Sequence, residues 1–490
     1  MSLRTLVSCS TLAVALGVGC GDPAASPDER LDVLLVTLDT CRADRIGAYG
    51  NARIRTPVLD ALAAEGTRFE HAFTPIPSTL PSHASMLTGL YPVQHGVHDN
   101  GVYELDPAAR TLTEVLKEAG YDTGAFLSAF VLDSQFGLDQ AFDVYDDTMD
   151  MPYDDRERPA DDADASERQR WLVQMTLPFQ RRADSVTRSA LGWLDGLDDD
   201  RPAFTWVHYF DVHGPYQPPP PWDTAYDPGY DGPMDGDART FFEVHGTTGP
   251  GGAARDIEHM IARYDGELSY TDEALGALFD ALRASGRWER TLVIVVADHG
   301  EGFGEHKQIW DHNAQVHDEV MRVPLLIRHP AGVGAGEVRE GLVRTLDLAP
   351  TVLDCLGLEP LEDIAGQSLL GMLRSPDAPA PGEILLEAKR EEQIYPVGHS
   401  FLGLRTDEHK LILRLDGEDV EQKRWLFDLR ADPGEQASQA AQLESLTGKM
   451  ADKLMGLHEQ LERTAIDAPR RTLDELTSEG LDALGYVGGR

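Results

Sequence analysis

The order of apolar runs predicts an α/β protein: a large doubly wound, mostly parallel sheet flanked by helices, then a small antiparallel α+β subdomain. Three observations carry this reading. Residues 31–38 (LDVLLVTL) and 291–296 (TLVIVV) are continuous apolar runs, the pattern of strands buried on both faces. Segments of helical period stand between such runs, the longest over 257–284. After about Ala378 the texture changes to short runs separated by turn signals.

In chain order, residues 1–20 read as an export signal, with Arg4 at the charged end, an apolar stretch over 12–18 and small residues before Cys20. That stretch is too short for a permanent membrane helix. Cys20 after small residues resembles a bacterial lipoprotein signal, although Gly17 stands where Leu is usual; ordinary secretion is the alternative. The expectation is a protein of the bacterial cell envelope, periplasm or outer surface, attached to membrane only through lipid on Cys20. A polar tether covers 21–30, a large domain 31–377 and a subdomain with a closing helix 378–490.

Within the large domain, Thr56 and Pro57 open a helix as N-cap and first residue. Residues 111–119 form an amphipathic helix and 122–129 a strand. The charged stretch 154–169 reads as a solvated loop, and a long helix follows over 183–197. The strand 204–209 runs into Asp211-Val-His213-Gly-Pro-Tyr; residues 226–253 look like an insertion over one end of the sheet. Residues 323–327 and 343–346 add strands, and 384–388, 401–405, 410–415 and 425–429 make the subdomain, closed by a helix over 444–463. Cys41 and Cys355 are too far apart in sequence to suggest a disulfide framework and read as core residues. The balance of 43 basic against 84 acidic residues, a formal charge of −41, speaks against nucleic acid as a partner.

Ligands of open α/β sheets bind beyond the carboxyl ends of the strands. Three strands here end in metal-capable groups: Asp39, Asp211 with His213, and Asp298 with His299. One strand-terminal Asp is often only a helix cap, but three spread over the chain suit a hard divalent cation, Ca²⁺, Mg²⁺, Mn²⁺ or Zn²⁺. Between them lies PSTLPSHASMLTG over 77–89, where on spacing alone Thr79 or Ser82 reads as an N-cap.

That segment resembles the signature of the sulfatase family of the alkaline phosphatase superfamily: Cys or Ser, then x-Pro-x-Arg, ending in Thr-Gly. In register, Thr79 takes the nucleophile position, Pro81 the proline, His83 the arginine and Thr88-Gly89 the ending. Further segments are similar to the family along nearly the whole chain: LDTCRAD at 38–44, GAYG at 47–50, GLYP at 89–92 with HGV at 95–97, ADHGEGFGEH at 297–306, RVPLLIR at 322–328, WLFDLRADP at 425–433 and LGYVG at 484–488. The resemblance implies an alkaline-phosphatase-like fold and an ester hydrolase. It implies Asp39, Thr79, Asp298 and His299 as ligands of one divalent cation; a second, which would need Asp211 and His213, alternating along an extended chain, with a further His such as His306, is disfavoured because the Asp-x-x-x-His pairing of two-metal relatives is absent.

Two departures bear on chemistry. Sulfatases use formylglycine made from Cys or Ser, and threonine cannot be converted to it. Threonine is instead the nucleophile in related phosphodiesterases and phospho-headgroup transferases. Thr40 stands where many relatives have a second Asp. The implied roles are Thr79 as nucleophile, His213 at the anion, His312 as general acid, and His83 and Asn100 at the substrate, the last two with an equal reading as helix-end polar residues. The favoured reaction is hydrolysis of a phosphodiester or phosphonate ester, on a small molecule or a glycan- or lipid-linked anionic ester. Sulfate-ester hydrolysis without formylglycine, phospho-headgroup transfer and a non-catalytic binding protein are the alternatives. Asp265 and Glu267, on the long helix, read as solvated or salt-bridged rather than catalytic.

Overall fold

The computed structural model describes residues 31–149, 181–198, 200–245, 253–307, 309–313, 315–389, 399–416 and 420–471. The export signal, the tether, the loop 154–169 and the segment 484–488 lie outside the described residues.

The large sheet has nine strands. Its central strand β1 (Asp32–Leu38) is buried along its whole length, which is why its sequence is continuously apolar rather than alternating. β1 pairs in parallel with β5 (Ala203–Tyr209) on one side and β6 (Thr291–Ala297) on the other. Leu38 is opposite both Tyr209 and Ala297, so the three strands end flush. Beyond β5 lie β3 (Asp122–Phe126) and β4 (Val144–Asp146), also parallel.

On the other flank the direction changes. β7 (Arg322–Arg328) is antiparallel to β6, and β2 (Thr67–Phe73) is antiparallel to β7. Strand β2 has no continuous apolar run in sequence, because the partly exposed Arg68 and Glu70 alternate with the buried Thr67 and Phe69. It also pairs with the short strands β8 (Glu337–Arg339) and β9 (Val343–Arg344). The strand expected over 343–346 stops at Arg344. There the Asp347 carboxylate accepts from the Arg344 backbone N–H at 2.8 Å and holds its guanidinium at 2.6 Å, turning the chain into a helix over Leu348–Cys355.

Helices cover both faces. The ones that matter for the site are α1 (Thr79–Thr88), α2 (Ala183–Leu194) and the long α3 (Ala254–Ala284). Asp265 and Glu267 on α3 are buried, not solvated. Asp265 pairs with Arg45 at 2.5 Å, and Glu267 lies 3.8 Å from Arg182. Cys41 is buried and Cys355 half-buried, and both are free thiols. No described helix is long and apolar enough to cross a membrane.

A second sheet follows, with β10 (Glu383–Lys389), β11 (His399–Thr406), β12 (His409–Asp416) and β13 (Val420–Asp428) in antiparallel order. It carries its own hydrophobic cluster, which extends to the helix Glu444–Glu462. Buried charges join the two sheets. Lys410, fully enclosed, holds Asp318 at 2.7 Å and Glu435 at 2.9 Å, and Asp318 also pairs with Arg405 at 3.2 Å. The Glu387 N–H donates to the carbonyl of Pro75, four residues before Thr79.

Candidate active site

The flush ends of β1, β5 and β6 bring Asp39 and Asp298 to one edge of the sheet. Thr40 has φ 49°, a left-handed conformation unusual for a β-branched residue and costing about 1–3 kcal/mol. That twist turns its N–H back onto Asp298 Oδ1 at 3.2 Å. Tyr264 of α3 braces the same loop, its hydroxyl donating to the Thr40 carbonyl and accepting from the Arg42 N–H, each at 2.9 Å.

Thr79 is the first residue of α1. Its hydroxyl does not cap the helix; it stands 3.3 Å from His299 Nε2. A different side chain serves the helix end: Asn100 Oδ1 accepts from the Leu80 N–H at 2.8 Å. Ser82 is a tie between elements, donating to the Asp298 carbonyl at 2.8 Å and lying 3.0 Å from Thr74 Oγ1. The N-cap reading of either residue is thereby displaced.

Asp39, Asp298 and His299 are completely buried and present donor atoms within 4.8 Å of one another. His299 Nε2 lies 3.5 Å from Asp298 Oδ2 and 4.0 Å from Asp39 Oδ1. Its Nδ1 donates to the Gly300 carbonyl at 3.0 Å, leaving the Nε2 lone pair directed inward. Burial and the charge of Asp39 push the Asp298 carboxyl well above the usual range, and burial pushes His299 well below its own. Asp298 Oδ2 and Thr40 Oγ1 are buried without a hydrogen-bond partner among the described residues. Two enclosed carboxylates, a lone pair and these orphaned oxygens fit a divalent cation, which would remove their mutual repulsion.

The other predicted residues gather around this group. His83, one turn along α1, donates Nδ1–H to the Thr79 carbonyl at 2.7 Å and lies 3.9 Å from Asp298 Oδ2. His213 donates to the Gly214 carbonyl at 2.7 Å and stacks on Phe210. His312 stacks on His299 with ring centres 4.3 Å apart and meets His213 edge-on at 5.4 Å. Burial holds His83 down at about 3 and His213 at about 4. His312 behaves oppositely: burial opposes its charge, but Glu301, 3.5 Å from Nδ1, raises it.

The residues that a two-cation arrangement would need take other partners, although His306, His317 and Glu319 do bring donor atoms within 4.8 Å of one another. Strand alternation would set Asp211 and His213 on one side, but β5 ends at Tyr209 and the chain turns, the His213 N–H bonding to the Phe210 carbonyl at 2.9 Å. Asp211 faces α2 instead, accepting from the Ala183 N–H at 2.6 Å and pairing with Arg182 at 3.1 Å. His306 is paired with Glu319 at 2.7 Å and with the Glu435 carbonyl at 3.1 Å.

Sequence reading missed two residues. Glu301 is buried behind His312, takes the Tyr216 hydroxyl at 3.1 Å, and was visible in the Asp-His-Gly-Glu run. His208 sits in β5, fully buried, with Nε2 at 3.4 Å from Asp39 Oδ2. A histidine inside a buried strand was its available signal.

A family model for sulfatases matches residues 32–358, two thirds of the chain. The chain belongs to the sulfatase family. It is thus an ester hydrolase of the alkaline phosphatase superfamily. A second model, the C-terminal part of N-sulphoglucosamine sulphohydrolase, matches 304–460 of this sulfatase-family chain. Relatives include the multifunctional alkaline phosphatase superfamily protein PehA of Trinickia caryophylli, 28% identical over 83% of this chain and 90% of that protein. An N-acetylglucosamine-6-O-sulfatase of Bacteroides thetaiotaomicron is 24% identical over 87% and 86%. In fold, the chain is similar to the phosphonate monoester hydrolase of Agrobacterium radiobacter, with TM-score 0.69 and 23% identity over 88% of this chain and 96% of that one.

Proposed function

We propose that this sulfatase-family hydrolase cleaves singly charged phosphodiesters or phosphonate monoesters with Thr79 as nucleophile and one divalent cation held by Asp39, Asp298 and His299. The observation that carries the proposal is the Thr79 hydroxyl facing Nε2 of His299, the imidazole grouped with the two carboxylates, in a residue that cannot become formylglycine. The bound cation supplies Lewis acidity, favouring the Thr79 alkoxide and offsetting charge on the substrate oxygens.

Thr79 Oγ forms its bond to phosphorus as the bond to the leaving oxygen breaks. His312, whose charged form the neighbouring Glu301 carboxylate favours, gives that oxygen its proton. Water then displaces Thr79 from phosphorus, passing a proton back to His312. His213 lines the anion's place, and His83 and Asn100 border it. Burial holds His83 and His213 low, so these two rings add no charge to that of the cation and His312, which suits a monoanionic ester over a dianionic one.

Sulfate esters are also monoanions, and the sulphohydrolase-like C-terminal match favours a second reading in which unmodified Thr79 attacks sulfur, on a glycan-linked ester. A panel of nitrophenyl phosphodiester, phosphonate, phosphate and sulfate esters distinguishes the two, with mass spectrometry of the quenched enzyme. A phosphorylated Thr79 peptide supports the first reading; turnover of the sulfate ester alone refutes it. Product appearing only with an added alcohol acceptor points to a headgroup transferase. Export with a lipid on Cys20 rests on residues 4–20 and is tested by labelling cells with a fatty-acid analogue and substituting Cys20.

A further inference from the structure

Of the five described imidazoles around Asp39 and Asp298, three are oriented by backbone carbonyls, His312 faces Glu301, and His208 is held by a hydroxyl. His83, His213 and His299 each set Nδ1 against a carbonyl oxygen, of Thr79, Gly214 and Gly300. A carbonyl only accepts, so in each neutral ring Nδ1 carries the proton and Nε2 turns a lone pair outward from the anchor. His208 is anchored by a hydroxyl: its Nδ1 lies 3.0 Å from Thr37 Oγ1. The same oxygen accepts the indole N–H of Trp206, also at 3.0 Å. Indole only donates, so one lone pair of Thr37 is filled. The single Thr37 proton has no acceptor other than His208 Nδ1 among the described residues. Giving that proton to Nδ1 forces the ring's own proton onto Nε2. This nitrogen is enclosed, forms no close hydrogen bond among the described residues, and faces the Asp39 Oδ2 carboxylate oxygen at 3.4 Å.

We propose that His208 is a positioning residue for Asp39: its Nε2–H steadies Oδ2 and so aims Oδ1 at the cation site beside His299. A ring with its proton turned inward has no lone pair to give, which excludes His208 itself as a ligand. The register of β1 on β5 builds the relay, since Thr37 is directly opposite His208. Groups of this kind, one step behind a ligand, commonly set metal affinity. The inference rests on the reading of Asp39, Asp298 and His299 as the cation ligands.

The test is Mn²⁺ alone titrated into the full-length protein by calorimetry, with the melting temperature of the metal-free form recorded beside it. His208→Phe and Thr37→Val are expected to weaken Mn²⁺ binding about 10–100-fold, while His208→Gln and Thr37→Ser restore most of it. A purely structural role would lower melting temperatures without splitting the donor-retaining from the donor-lacking pair. Wild-type affinity in His208→Phe and Thr37→Val overturns this inference and leaves the cation site standing. A wild-type protein that binds no Mn²⁺ overturns both. Electron spin-echo spectra reporting two imidazole nitrogens on Mn²⁺, one of them lost in His208→Gln, would make His208 a ligand and overturn the positioning role.

Discussion

The hydroxyl oxygen of Thr79 stands 3.3 Å from Nε2 of His299, across 220 residues of sequence. The contact ties the N-terminus of α1 to the end of β6, and the chemistry proposed here depends on it. Thr79→Ala is expected to lower kcat by about 10³-fold or more, and Thr79→Ser by much less, since a serine hydroxyl can occupy the same place. Steady-state kinetics on a phosphodiester checks both, and equal rates in Thr79→Ala and wild type would remove the nucleophile.

His312 is proposed to protonate the leaving oxygen, so its loss should matter only where that oxygen needs a proton. His312→Gln is expected to slow alkyl esters about 10²–10⁴-fold and nitrophenyl esters far less. An equal effect on both leaving groups would argue for a binding role.

Removal of the proposed cation would leave Asp39 and Asp298 close together in an enclosed space. Chelation should therefore lower the melting temperature, and cation at about 100 times its Kd should return roughly 2.7 kcal/mol. The raised pKa of Asp298 sets the sign of the pH effect on the metal-free form: stability falls as pH rises above the ordinary carboxylate value. Asp298→Asn is expected to abolish cation binding while flattening that pH dependence, as calorimetric melts can show.

Asp211 turns away from the site to the N-terminus of α2. Asp211→Asn should leave the bound-metal stoichiometry at one and cost about 1–2 kcal/mol of stability. Elemental analysis of the variant is decisive: a fall from two ions to one would restore the two-metal arrangement.

At the join between the sheets, His98 Nδ1 meets Glu387 Oε1 at 2.5 Å. Burial would raise the Glu387 carboxyl, but His98 outweighs it and holds the group down at about 2. A depressed carboxylate stabilises above its unfolded pKa and loses that contribution as pH falls through the folded one. Acid unfolding between about pH 4.5 and 2 should thus be shallower in Glu387→Gln, which is also expected to be about 2–3 kcal/mol less stable at pH 7. Urea melts at a series of pH values measure both.

The strand ends were legible in the sequence because residues buried on both faces of a parallel sheet must be continuously apolar, and Asp39 and Asp298 close two such runs. Thr79 and His83 were legible only through the family motif, since their spacing equally suits a helix cap. His208 was not legible. Its partner Thr37 is 171 residues away, and the register that opposes them leaves no local pattern. Alternation would put Asp211 and His213 on one side only within a strand, and β5 ends at Tyr209 before either is reached.

The flush ends of β1, β5 and β6 also govern when the site can exist. Asp39 is made early and Asp298 more than 250 residues later, and nothing short of the paired central strands brings them together. A growing or partly threaded chain therefore has no high-affinity place for a cation, however much of it is already folded. If Asp39 and Asp298 hold the proposed cation, the moment of its uptake in a refolding experiment would report the pairing of β1 with β6.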